Sequence, residues 1–326
     1  MEAVYHLDSW YEANRHLFDP PVCNKLQHKK QISVMFVGGP NTRTDFHLDQ
    51  GSEFFWMVRG NMELPTIQQG KLKVVKIREG EVFLLPSRIP HSPQRPEKGS
   101  LGLVIERERY MDSEPPELDG LRWYVDFEKP EQILYETFFH CGDLGRDLVP
   151  RVKEFHASEE KRTGVPGAHV CTDNKRPFVQ DMDTTVPDPF SLNAWLEAHA
   201  DQLARGEQLD LFNSGETTHP DREFRVLVCG GAADGGTVDE RRDWWGDTWI
   251  FQLRGSASVS LKGADTTNSQ QLLERCSAVV PPNTPYVVTR SPGSIGFVVT
   301  QDPRGNKSSD KLEPEAKKQR LSKVVN

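Results

Sequence analysis

A chain of 326 residues is long enough for two domains, and 36% hydrophobic with 27% charged residues can build a packed core beneath a charged surface. Its formal net charge of −8 lacks the basic footprint of a nucleic-acid-binding protein, so no nucleic-acid partner is expected. No apolar run is long enough to span a bilayer, and the opening "MEAVYHLDSWYEANRHLF" has no basic region leading into an apolar core, so neither a membrane segment nor a secretion signal is expected.

Residues 1–19 read as a helix that stops at "FDPP". From about Lys30 to Val125 the pattern changes. Short β-forming runs ("QISVMFVGG", "EFFWMVRG", "LKVVKI", "EVFLLP", "LGLVIERE") alternate with Gly, Pro and Asn turns, as in an all-β barrel or sandwich. Residues 129–157 switch to helical spacing: Leu134, Phe138, Leu148, Val152 and Phe155 can share buried faces, with Gly142 and Gly145 as breaks. The stretch from "RTGVPG" to Pro189 reads as a linker. A further helix follows, capped by Ser191, with Leu192, Trp195, Leu196, His199 and Leu203 at helical spacing. The β pattern returns from Glu223 to about Gln301. The polar, lysine-rich end reads as a solvated, disordered tail. The expected division is a first β domain at 1–128, a helical linker at 129–205, a second β domain at 206–302 and a tail at 303–326. Cys23, Cys141, Cys171, Cys229 and Cys276 are scattered, odd in number and never spaced CxxC. That fits a reduced, cytoplasmic compartment and argues against a cysteine-held metal. In such a compartment the sequon at Asn306 carries no meaning.

The two β regions are copies of one another. "TWIFQLRGSASV" starts at Thr248, 195 residues after "EFFWMVRGNMEL" at Glu53, and "VVPPNTPYVVTRS" starts at Val279, again 195 after "LLPSRIPHSPQRP" at Leu84. Arg59-Gly60 thus matches Arg254-Gly255, Pro86 matches Pro281, and Pro90 matches Pro285. A repeat with constant spacing implies two copies of one β domain. It also serves as an internal control. At the same offset His47 becomes Arg242, Glu53 becomes Thr248, His91 becomes Tyr286 and Arg43 becomes Val238. Turn residues persist while the metal-ligand residues vanish together, so His47, Glu53 and His91 share a task that only the first domain performs.

Strand geometry places that task. Side chains alternate between faces, so Arg43, Asp45, His47, Asp49 and Glu53, all odd-numbered, share a face while the strand stays regular. His91 and Arg95 also share a face if extended, and Glu106 is the polar member of the Gly102, Val104, Glu106 face. His47, Glu53 and His91 are therefore expected to converge inside the barrel. Two imidazoles and one carboxylate form the facial set of non-haem Fe(II) oxygenases. The same set could hold Zn²⁺ or Mn²⁺, and the ligands alone do not choose.

These residues resemble the two motifs of the cupin superfamily. "HLDQGSEFFWMVRG" gives His47-x-Asp49-x3-Glu53-x6-Gly60, and "GEVFLLPSRIPHSPQR" gives Gly80-x5-Pro86-x-Arg88-x2-His91-x3-Arg95. Asp49 stands where many cupins carry another histidine, Asn41 replaces a glycine, Arg88 an inner glycine and Arg95 an asparagine. With "VIERER" and "LDGLRWYV", these departures resemble the 3-hydroxyanthranilate 3,4-dioxygenase family, and the likeness covers nearly the whole chain except the tail. The resemblance implies an all-β chain of two cupin (jelly-roll) barrels with a few linking helices, the second barrel metal-free. It implies Fe(II) held by His47, Glu53 and His91, with O₂ and 3-hydroxyanthranilate as substrates and ring opening to 2-amino-3-carboxymuconate semialdehyde as the reaction.

On that reading Arg43 and Arg95 offer planar donor forks to the substrate carboxylate. Glu53 also borders the substrate. Glu106 accepts from the amine or hydroxyl or takes a proton, with Glu108 as its competitor. Asp49 supports the site by orienting a ligand or a neighbouring arginine. Without a CxxC pair no second metal is expected. Two fused barrels can cover the surface that single barrels bury by dimerising, so a monomer is expected. Rival readings are a cupin dioxygenase for another aromatic acid, a non-catalytic two-barrel binding protein and a zinc hydrolase.

Overall fold

The computed structural model describes residues 3–20, 23–110, 116–172, 175–214, 219–221, 223–241, 244–262 and 269–301. Arg242 and the expected tail at 303–326 lie outside them. The chain divides into two units. One comprises Tyr11–His199 with His219–Asp221; the other comprises Met1–Trp10, Ala200–Thr218 and Arg222–Asn326.

The first unit is built on a six-stranded antiparallel sheet in the order Phe190–Ser191, Glu81–Leu85, Glu53–Arg59, Leu101–Arg107, Ile32–Gly38, Asn24–Lys29. A three-stranded sheet (Ile133–Phe139, Asp119–Tyr124, Phe46–Leu48) and the hairpin Met62–Gln68 with Lys71–Ile77 complete the barrel. Non-consecutive strands lie side by side, the topology of a jelly roll. Alternate residues of these strands meet in one core, including Met35, Val37, Phe55, Met57, Leu64, Ile77, Phe83 and Val104. The second unit repeats the plan. Its six-stranded sheet runs Tyr5–His6, Cys276–Val280, Thr248–Arg254, Ile295–Gln301, Phe224–Gly230, Gln208–Asp210, and a four-stranded sheet supplies the other wall.

The repeat holds at the level of register. Glu53 pairs with Leu85 and Thr248 with Val280. Both copies carry a register shift at the same place, between Met57 and Arg59 in the first and between Gln252 and Arg254 in the second. Both Gly60 and Gly255 follow with positive φ, which a side chain would resist.

Five expectations change. Tyr5–His6 is a strand, paired with Ser277 and Cys276, so it extends the second barrel rather than the first. The helix expected across 1–19 is confined to Leu7–Ala13 and a short 3-10 turn at Arg15–Leu17. Ile133–Phe139 is a strand against Asp119–Tyr124, although residues 129–157 read as helical. Leu134 and Phe138 are four apart, a spacing that a strand satisfies as well as a helix, and Ile133, Tyr135, Thr137 and Phe139 favour the strand. Helix begins only beyond it, with a π-helical turn at Leu144–Leu148 that leads into the α-helix Val149–Ala157, whose Phe155 stacks on Trp123 at 4.1 Å. The segment read as a linker packs on the first barrel: Val186 is in its core and the Asp181 amide donates to the Arg88 carbonyl. The later helix forms as two pieces, Leu192–Ala198 and Ala200–Ala204, and the Ser191 hydroxyl caps the first by accepting from the Ala194 amide.

Candidate metal and substrate site

Register brings the predicted residues together. Phe46–Leu48 passes His91 so that the two histidines pair through both backbone hydrogen bonds, at 2.7 and 2.9 Å. On the large sheet Glu53 stands directly opposite Glu106, and outside it an isolated bridge sets Asn41 opposite Arg95. All of His47, Glu53, His91, Arg95 and Glu106 are buried. The ligating atoms of His47, Glu53 and His91 lie within 4.8 Å of one another, and this is the one such group among the described residues.

Hydrogen bonding aims the donors inward. His91 Nδ1 is 2.9 Å from the Ile89 carbonyl, which can only accept, so Nδ1 carries the proton and the Nε2 lone pair faces Glu53. His47 Nε2 donates to Asp119 Oδ2 at 2.7 Å, which turns Nδ1 towards Glu53 Oε1, 4.0 Å away. Glu53 Oε1 lies 2.9 Å from His91 Nε2 yet makes no hydrogen bond. A buried carboxylate oxygen facing imidazole lone pairs is costly unless a cation joins them. The donor set therefore fits a divalent metal, with each imidazole oriented from behind as metal-bound histidines commonly are.

The protein charges reinforce this polarity. Burial works against an imidazolium at His47, but the Asp119 hydrogen bond and charge outweigh it and carry the group up to about 9. Burial alone would raise Glu53, and the adjacent His91 overrides it to hold the carboxylate at about 2. A proton and a metal compete for the same His47 lone pair.

Arg95 is buried with Nε and Nη2 making no hydrogen bond. Burial lowers its pKa to about 10, against the pull of Glu53 and with the push of Arg43, so it remains a cation at neutral pH. Gly102 lies against this guanidinium at ordinary contact distance, 3.5 Å from a Cβ there to Nε, and such a Cβ would crowd Met57 Sδ at 2.8 Å. Arg43 is less open, because Asp45 already engages its Nε and Nη2. Glu106 Oε2 accepts from Arg109 at 2.6 Å, leaving Oε1. Glu108 lies past the end of the strand, its amide bonded to the Gln31 carbonyl.

The copy comparison separates these groups. At the metal positions the second barrel has Thr248 and Tyr286, both buried. At the Arg95 position it keeps an arginine, Arg290, also buried, whose Nε lies 3.4 Å from Asp239. The repeat thus singles out the ligand set but not Arg95.

Two residues escaped the sequence reading. Arg109 binds Asp119 through Nε and Nη2, both at 3.0 Å, and also pairs with Glu106 and Asp49. Asp49 consequently faces Arg109 and caps the Gly51 amide at 2.7 Å; it does not reach a histidine. Burial raises the Asp49 pKa, Arg109 draws it down, and Asp119 and Glu106 push it up again; the net direction is upward, because burial, helped by the two neighbouring carboxylates, outweighs the guanidinium. "VIERER" and "LDGLRWYV" contain both residues, but an acid opening an apolar strand was the only signal for Asp119.

Two antiparallel barrels, the first enclosing a His–Glu–His cluster, define a two-barrel cupin. A family model for 3-hydroxyanthranilic acid dioxygenase matches residues 1–156. The 3-hydroxyanthranilate 3,4-dioxygenase of Rattus norvegicus is 43% identical over 303 residues, covering 93% of this chain and 98% of that protein. The Homo sapiens enzyme of the same name is 41% identical over 303 residues, with 93% and 98% covered. Among solved structures, Lactobacillus farciminis oxalate decarboxylase in its formate complex aligns with a TM-score of 0.46 at 15% identity, over 84% of this chain and 78% of that one. This chain belongs to the 3-hydroxyanthranilic acid dioxygenase family, and it is a dioxygenase.

Proposed function

We propose that the chain is an Fe(II)-dependent ring-opening dioxygenase that converts 3-hydroxyanthranilate and O₂ to 2-amino-3-carboxymuconate semialdehyde. The observation that carries this reading is the buried Arg95 fork, with open Nε and Nη2, beside the His47–Glu53–His91 cluster. Such a fork suits a planar carboxylate. Iron held by those three residues would supply the spin change that lets triplet O₂ react with a closed-shell ring. The remaining work falls to the chain. Arg95 binds the substrate carboxylate and sets the ring's orientation, and Arg43 adds positive charge nearby. Glu106, opposite Glu53, accepts from the amine or hydroxyl through its open Oε1 and can hold the proton released there. Burial of Arg95, Glu106 and the three cluster residues keeps bulk water from the reacting ring.

The test is one experiment on the purified chain. Metal analysis should find iron, and adding 3-hydroxyanthranilate should start oxygen uptake with growth of the semialdehyde absorbance. Chelation should stop both, and Fe(II), not Zn²⁺, should restore them. An iron-loaded chain that takes up no oxygen would sink the assignment; activity with Zn²⁺ alone would point to the hydrolase reading.

The doubled barrel also supports a monomer. Light scattering should then give a single mass near 37.0 kDa, and a stable dimer would refute it. All five cysteines remain thiols, which supports a reducing, cytoplasmic setting that cell fractionation can check. No helix among the described residues is long and apolar enough to cross a membrane.

A further inference from the structure

We infer that Arg109 and Asp119 are positioning residues that tie the metal side of the site to the substrate side. This rests on the reading of His47, Glu53 and His91 as metal ligands. One guanidinium spends Nε and Nη2 on the two oxygens of Asp119, Nη1 on Glu106 and Nη2 again on Asp49. Asp119 Oδ2 then holds His47 Nε2. Glu106, opposite Glu53 in the large sheet, is thereby locked to the carboxylate that sets the tautomer and tilt of a ligand histidine. Arg109, Asp119, Glu106 and His47 all have side chains at least nine-tenths buried, so solvent does not replace these contacts.

The connection is built by the fold. Asp119 opens the strand Asp119–Tyr124, which lies beside Phe46–Leu48 with Leu121 opposite His47. No counterpart of the Asp119–Phe139 hairpin occurs among the described residues of the second barrel, where Thr237–Arg241 pairs only with Tyr286–Arg290. A lysine could supply the charge of Arg109 but not its fork, because an ammonium cannot bridge two carboxylates in a fixed plane.

The roles separate by measurement. In the full-length metal-free chain, Asp119→Asn should weaken Co(II) binding by about 10- to 100-fold, the usual cost of losing such a partner, and should shift the visible spectrum of the Co(II) complex. Asp119→Glu keeps the charge that offsets Arg109 but moves the carboxylate, and should give the same spectral shift in a chain whose fold circular dichroism verifies. In the iron-loaded chain, Arg109→Lys should retain metal but lower kcat per bound iron by about 100-fold, since small misplacement of a reacting group carries costs of that order, with a smaller change in KM. Wild-type Co(II) affinity and spectrum in both Asp119 variants, or wild-type kcat in Arg109→Lys, would overturn the inference and leave the metal reading intact. Failure of the unmodified chain to bind Co(II) at all would overturn both.

Discussion

Glu53→Ala should lose both bound metal and turnover. Glu53 supplies the sole carboxylate of the cluster and the atom on which both histidines converge. Losing a partner behind a ligand typically costs about 10- to 100-fold in metal affinity, so losing the ligand itself should exceed about 100-fold. The fold should survive, because the second barrel carries a buried Thr248 at the corresponding place, with the same register against Val280. Circular dichroism should therefore look native while metal analysis finds no iron and oxygen uptake is at background. An alanine variant with stoichiometric iron and full turnover would remove Glu53 from the site.

Arg95→Ala should act on substrate binding. Its unpartnered Nε and Nη2 await an anion, and a hydrogen bond to a charged group is worth about 1.5–3 kcal/mol. Loss of the fork should raise KM by about 10- to 100-fold, with iron content unchanged and kcat less affected. Arg95→Lys should recover little, because a point charge does not reproduce two parallel donors. Arg290 shows that the barrel can bury an arginine here without a ligand set, so a scaffold role is the competing account. It predicts a lower Tm with an unchanged KM, and that outcome would end the carboxylate assignment.

The site was legible where it depended on strand alternation. His47, Glu53 and His91 occupy positions that period-two geometry places inward, and the second copy, with the same frame and other residues, marked them as chemistry rather than scaffold. Arg95 and Glu106 followed from the same parity. Glu108 shares that parity and so competes with Glu106 in the sequence, because parity does not say where a strand ends; this one ends at Arg107. The strand Ile133–Phe139 reads as helical in the sequence because a spacing of four satisfies both helix and strand.

The sequence by itself determined the doubled β domain and the set of donors, since both rest on repetition and alternation within short stretches. The tertiary structure alone decided what stands behind the donors. His47 meets Asp119 across 72 residues, and Arg109 meets Asp49 across 60. Those meetings depend on which strand lies beside Phe46–Leu48, and strand order is set by barrel closure, not by any local pattern. For the same reason the opening Tyr5–His6 could not be assigned to the second barrel from its own letters: an edge strand takes its place from the partner it pairs with.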